Sequence, residues 1–215
     1  MAVFPMFFDI MDKKCVIIGG GNVATRKIET LLEFGALVTV VSLEITEKIK
    51  KWKWEGKLAV SIKGYTPDDI DGAFLVVAAT SDRNVNERVY NDSVERNIPV
   101  NIADNPHKCT FIFPSVVKRG ELVIGISSSG GYPALSKKLR SRIEEVIPDK
   151  YENVLEILKK WRKHAESAIA EPEKRREALN RIMQEVLDSM DTLSQEQLEK
   201  GLEKIFKEYE DEKAD

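Results

Sequence analysis

The chain has 215 residues, with 33 lysines and arginines against 36 aspartates and glutamates, for a formal net charge of −3. That near balance argues against a general nucleic-acid binder, which carries a clear basic excess. A hydrophobic content of 42% without a long uncharged apolar run argues against a membrane protein and for a soluble chain with ample core for one full domain and a smaller one.

The start, Met1–Asp9, is apolar but short and lacks a basic region, so no signal peptide is expected and the cytoplasm is the expected compartment. Phe4 to Phe8 reads as an extended piece. Cys15-Val16-Ile17-Ile18 fits a buried parallel strand, and Gly19-Gly20-Gly21 follows as a tight turn. An amphipathic helix then begins, with Val23, Ile28, Leu31 and Leu32 apolar and Arg26, Lys27, Glu29 and Glu33 polar. Read as G-x-G-x-x-A, the stretch is a dinucleotide fingerprint between strand and helix. Gly19 makes the turn, Gly21 admits a pyrophosphate and Ala24 lets the helix sit close on the sheet. Gly35 stands where a helix C-cap glycine would, and Leu37–Val41 completes β-α-β within about thirty residues. Cys15 and Cys109 are the only cysteines, and Cys15 falls in a core strand, which excludes a disulfide framework.

After the second strand come Ser42, Leu43 and Glu44, where a nucleotide fold places an acid for the adenosine ribose. Glu44 reads equally as that acid and as a solvated residue opening the next helix. No arginine stands there for a 2′-phosphate, so the lean is to NAD. Ile45 to Trp54 has helical spacing, with Trp52 and Trp54 read as packing groups. Leu58 to Ile62 reads as a third strand, Thr66-Pro67-Asp68-Asp69 as a capped turn, and Ala73 to Ala79 as a central strand covered on both faces. Small residues at its end, Ala79-Thr80-Ser81, leave room for a ligand, and Ser81 or Asp82 caps the next helix. Ile98 to Ile102 reads as a fifth strand. It ends at Ala103-Asp104-Asn105-Pro106-His107, a loop on the edge of the glycine turn that brings a carboxylate and an imidazole towards a bound nicotinamide.

Beyond it, Phe111–Val117 and Glu121–Ser127 flank a Lys118-Arg119-Gly120 turn and read as paired strands. Ser127-Ser128-Ser129-Gly130-Gly131 reads equally as an anion-holding loop and as a plain cap for a helix from Pro133 to Val146. From Tyr151 the chain is helical and charged, with apolar stripes through Val154, Leu155, Leu158, Trp161, Ala165 and Ile169, through Leu179, Ile182, Met183, Val186, Leu187 and Met190, and through Leu198, Leu202 and Ile205. Ser194-Gln195-Glu196-Gln197 is a capping box, and His164 reads as a surface residue. The fold class is therefore α/β: a Rossmann-like parallel sheet domain over 1–110, a small α+β dimerisation and substrate unit over 111–147, and a C-terminal helical domain over 148–215.

Several motifs in order carry a resemblance: Phe4-Pro5-Met6-Phe7-Phe8, the glycine triplet, Ala24-Thr25-Arg26-Lys27, Ala78–Asp82, Asn101–Asp104, Phe111-Ile112-Phe113-Pro114-Ser115 and Ile126–Ala134. Over about residues 4 to 145 the chain resembles the precorrin-2 dehydrogenase / sirohydrochlorin ferrochelatase family, the dehydrogenase–chelatase portion of siroheme synthase. The resemblance implies that NAD oxidises precorrin-2, a cyclic tetrapyrrole, to sirohydrochlorin in siroheme biosynthesis, and that some members then insert Fe2+. It implies a homodimer with intertwined second domains, NAD contacts at Asn22, Val23, Leu43 and Glu44, an acid at Asp104 for dehydrogenation and chelation, and Ser128 facing the tetrapyrrole. Thr80 joins the cofactor residues by its place at the strand end. Asp104 and His107 are the candidate iron contacts, although neither His107 nor Cys109 has metal-ligand spacing. Two other readings remain: a different NAD-dependent dehydrogenase of a small substrate, and an NAD-sensing regulatory module without catalysis.

Overall fold

The computed structural model describes residues 3–103 and 105–210. The chain divides into two compact units, Met1–Pro114 with Ser127–Pro133, and Ser115–Ile126 with Ala134–Asp215.

The first unit is built on a parallel sheet of five strands: β1 (Lys14–Ile18), β2 (Leu37–Ser42), β3 (Leu58–Ile62), β4 (Leu75–Ala78) and β5 (Val100–Ile102), in the order β3-β2-β1-β4-β5. Helices α1 (Asn22–Glu33), α2 (Glu47–Trp54) and α3 (Arg83–Glu95) connect them. The continuous apolar runs of β1 and β4 follow from burial on both faces. Cys15, Ile17, Val38, Val40 and Val77 pack against Ala24, Ile28 and Leu31 of α1, while Val16, Ile18, Val76 and Ala78 pack on the opposite face with Val89 of α3. Burial also pushes the Cys15 thiol up to about 11, which leaves it an inert core group. The strand order reverses between β1 and β4, which opens a crevice at their carboxyl ends.

Helix termination is local. Gly35 adopts φ +73°, its N–H donates to Leu32 O at 3.1 Å, and Ala36 N–H donates to Leu31 O at 3.1 Å, a complete Schellman stop. Asp82 caps α3 through Asn84 N–H at 2.8 Å. The tryptophans separate: Trp52 packs at the edge of the core, but Trp54 is 88% exposed, so its reading as a packing group fails. It is the last residue of an eight-residue helix and points away from the stripe that Ile49 and Trp52 bury.

In the second unit, β6 (Ser115–Arg119) and β7 (Leu122–Ile126) form an antiparallel hairpin with Arg119 opposite Leu122. Gly120 supplies the positive φ, +57°, that a two-residue hairpin turn demands. Phe111 to Pro114 does not join the strand as expected. Phe111 and Phe113 instead pack against the first unit's core, and Pro114 has no N–H for a ladder. Helices α4 (Pro133–Val146), α5 (Tyr151–Ala168), α6 (Pro172–Ser189) and α7 (Gln195–Lys207) follow. The last three pack around Trp161, Ala165, Ile182, Val186 and Leu202, with Phe206 added to the expected stripe and Met183 left exposed. His164 is exposed and stacks on Phe206, its ring centroid 4.4 Å away. Ser194 closes the α7 capping box with Gln197.

Candidate functional site

Three glycines shape the crevice, each for a different reason. Gly19 sits at φ +117°, donates its N–H to Val41 O at 2.9 Å, and passes so close to β4 that a Cβ would fall 2.5 Å from Ala79 O. At Gly20 a Cβ would fall 2.1 Å from Glu44 O, because the chain after β2 crosses directly over it. Gly21 has nothing within 4 Å of such a Cβ, so its face is open to a ligand. Thr46 N–H donates to Gly20 O at 3.0 Å, and the Thr25 and Thr46 hydroxyls meet at 2.9 Å, which ties the turn to the chain entering α2.

The resulting cavity measures about 600 Å3 and is lined by Gly19, Gly20, Gly21, Ser42, Leu43, Glu44, Lys63, Tyr65, Thr80 and Asp82, among others. Its far wall is braced by Asn86, a buried residue of α3. Asn86 accepts from the Thr80 hydroxyl at 2.9 Å and returns a bond from Nδ2 to Thr80 O at 3.1 Å. A dinucleotide fits this donor set. α1 starts at the Gly21 cap with no side-chain cap and no acidic residue in its first turn, so its leading N–H groups and the positive dipole end suit an anionic group.

Of the residues expected at the site, Gly19, Gly21, Leu43, Glu44 and Thr80 line this one cavity. Asn22 and Val23 are exposed in the first turn of α1, and Ala24 is buried beneath it. Asp104 lies outside the described residues. His107 is exposed in the single turn Pro106–Lys108 and does not line the cavity. Ser128 lies in the loop Ser127–Pro133, where its hydroxyl accepts from Tyr132 N–H at 3.2 Å. That loop returns to the first unit, with a Cβ on Gly130 standing 3.6 Å from Pro106 Cβ. Gly20 and Lys63 were not singled out by sequence. Among the described residues no three His, Cys, Asp or Glu side chains gather to hold a metal ion, and no helix is long and apolar enough to cross a membrane.

α1 also carries a lysine with no carboxylate partner among the described residues. Lys27 Nζ donates to Asn101 Oδ1 at 2.9 Å and sits 4.1 Å from the Phe113 ring centroid. Asn101 is buried and donates in turn to Phe111 O at 2.9 Å, latching the chain that returns after β5. Burial is the main cause that pulls Lys27 down from 10.5 to about 8. Below that folded value both states carry the proton and the desolvation cost stands. Above it the unfolded chain holds more protons than the folded one, so this group's contribution to stability rises with pH from about 8 to 10.5. A carbon-13 titration of the lysine side chains should show one resonance with a midpoint near 8 that vanishes in Lys27→Met. If every lysine titrates above about 10, the burial argument is wrong.

The family model described as "Putative NAD(P)-binding" matches residues 6–115. The siroheme synthase of Methylobacillus flagellatus is 37% identical over 197 residues, covering 92% of this chain and 42% of that protein. The siroheme synthase of Nitrosospira multiformis is 39% identical over 188 residues, covering 86% of this chain and 40% of that protein. The chain thus spans less than half the length of these curated relatives. The solved structure titled "SirC, precorrin-2 dehydrogenase" superposes with a TM-score of 0.75 at 25% identity, over 95% of this chain and 100% of that one.

Proposed function

Since the chain belongs to the precorrin-2 dehydrogenase / sirohydrochlorin ferrochelatase family, we propose that it oxidises precorrin-2 to sirohydrochlorin with NAD+ as the acceptor, a step towards siroheme. The observation that carries this reading is the return of the Ser127–Pro133 loop to Pro106, which adjoins the chain after β5, at the same sheet edge as the glycine turn. A serine–glycine loop at that sheet edge offers hydroxyl and backbone N–H donors to the carboxylates of a second substrate.

In this reading the α1 N-terminus and Gly21 hold the pyrophosphate, Leu43 and Glu44 the adenosine ribose, and Thr80, fixed by Asn86, the wall beside the nicotinamide. Asn22 and Val23 contribute through their backbone at the helix start, and Ser128 faces the tetrapyrrole. NAD+, when bound, supplies a hydride acceptor. Asp104 takes the proton that leaves precorrin-2 as the hydride departs, so the products are sirohydrochlorin, NADH and a proton. Residues 111–147 serve as the dimerisation and substrate unit of a homodimer, supported by the exposed Leu135, Leu139 and Val146 along α4. The cytoplasm is the compartment this reading expects. Ferrous iron belongs to the proposal as a second substrate, with Asp104 and His107 the candidate contacts.

Pure protein given precorrin-2 and NAD+ should produce NADH together with the sirohydrochlorin spectrum. Dinucleotide binding without turnover would favour the sensing module, and turnover of only small alcohols or hydroxy acids would favour a different dehydrogenase. Adding Fe2+ to sirohydrochlorin, with the spontaneous rate subtracted, tests insertion separately.

A further inference from the structure

At the wall of the crevice beside Leu43 and Glu44, Lys63 belongs to a charged pair that the proposed reaction does not use. β2 and β3 run parallel with Ser42 beside Ile62, and Lys63 N–H donates to Ser42 O at 3.2 Å. The chain leaving β3 therefore enters the crevice wall next to Leu43 and Glu44. Lys63 is the one lysine or arginine among the residues described as lining that cavity. Its ammonium is engaged within the fold: Nζ lies 2.7 Å from Asp69 Oδ1 and donates to Thr66 Oγ1 at 3.1 Å.

Asp69 is a well-held partner. Its side chain is only 10% exposed, and its second oxygen accepts Thr66 N–H at 2.8 Å and the Thr66 hydroxyl at 3.0 Å. Burial alone would raise its carboxyl, but the Lys63 ammonium and the Thr66 donors hold it below the usual carboxylate range. Glu44, by contrast, is exposed, and its carboxylate makes no hydrogen bond or ion pair among the described residues.

We infer that Lys63, tied to Asp69 beside the unpaired Glu44, is a selectivity-determining residue of the dinucleotide crevice. A plain ribose can offer its hydroxyls to Glu44. A 2′-phosphate meets that carboxylate at close quarters, while the one lysine among the described residues lining the cavity is already engaged by Asp69. The inference rests on the dinucleotide reading of the crevice and adds the residues that discriminate NAD from NADP. It concerns the cation that the cavity does have, since among the described residues no arginine lines it and its lysine is held by Asp69.

The test titrates NADH and NADPH into the 215-residue chain by nucleotide fluorescence and reads the ratio of the two affinities. Asp69→Asn keeps an oxygen for Thr66 and frees the ammonium, so the ratio should shift about tenfold towards NADPH. Adding Lys63→Met should abolish that shift. Lys63→Met alone leaves Asp69 unneutralised and should move the ratio further towards NADH, which carries the test if Asp69→Asn does not fold. An unchanged ratio in both single variants, or a shift that persists in the double variant, overturns the inference. A wild-type chain that binds neither dinucleotide would instead overturn the crevice reading beneath it.

Discussion

Replacing Asp104 with alanine is expected to lower the rate of NADH formation from precorrin-2 by about 10²- to 10⁴-fold, the range that a positioned proton acceptor supplies. NADH affinity should be preserved if the cofactor is held by the glycine turn, the Leu43–Glu44 strand exit and Thr80, which are among the described residues lining the crevice. The two effects separate in single-turnover experiments at saturating NAD+, where the variant should bind and then fail to react. Oxidation needs a proton sink as well as a hydride acceptor, and in the proposed mechanism this carboxylate is that sink. Unaltered single-turnover rates would remove Asp104 from the chemistry. They would leave the exposed His107, three residues further on, as the next group to test.

The second large effect is a contrast between adjacent glycines. Gly20→Ala places a methyl 2.1 Å from Glu44 O and 2.8 Å from Ile45 Cγ2, and the first of these neighbours is backbone. Relief requires the Glu44–Thr46 chain to lift off the turn, straining Thr46 N–H···O=C Gly20. The cost should be about 1–3 kcal/mol of stability, as for other overpacked sites, together with loss of dinucleotide binding as Leu43 and Glu44 move. Gly21→Ala meets no protein atom within 4 Å, and φ −81° at that position suits alanine. Its folded state should lose less than about 1 kcal/mol, the scale of a weakened N-cap. In the proposed reading its methyl stands where the pyrophosphate approaches, so binding should fall by a factor of about ten to a hundred, or roughly 1.4–2.7 kcal/mol. Thermal unfolding and NADH titration of the pair give the answer. Equal destabilisation of both variants, or normal NADH binding by Gly21→Ala, would contradict this division of roles.

The parts of the molecule that were legible in sequence share a common property: each is decided within one turn of chain or by one face's periodicity. Gly35 ends α1 because the Schellman bonds need a positive φ at that residue. Asp82 and Ser194 cap helices whose N–H groups lie two or three residues away. The apolar runs of β1 and β4 announced strands buried on both faces. Lys27 shows how a legible signal is overlooked. By residue type it reads as polar face, yet with Ala24, Ile28 and Leu31 it completes the i, i+3, i+4, i+7 core stripe of α1, which is why it ends up among Asn101 and Phe113. Trp54 failed in the opposite sense. Its apolar surface suggested packing, but it comes at the end of a short helix after the buried stripe has turned away.

By itself, then, the sequence determined the strand–turn–helix nucleus, the helix stops and the family, because these depend on residue types a few positions apart. It could not determine that Gly20 carries the weight of the Glu44 backbone, that Asn86 holds Thr80, or that Lys63 is claimed by Asp69. Those contacts arise only once β2, β1 and β4 lie in parallel register and bring strand exits distant in sequence to one edge. Local propensity acts over a turn of chain, whereas the shape and charge of a crevice are set by which strands become neighbours, and that is decided by packing the whole core.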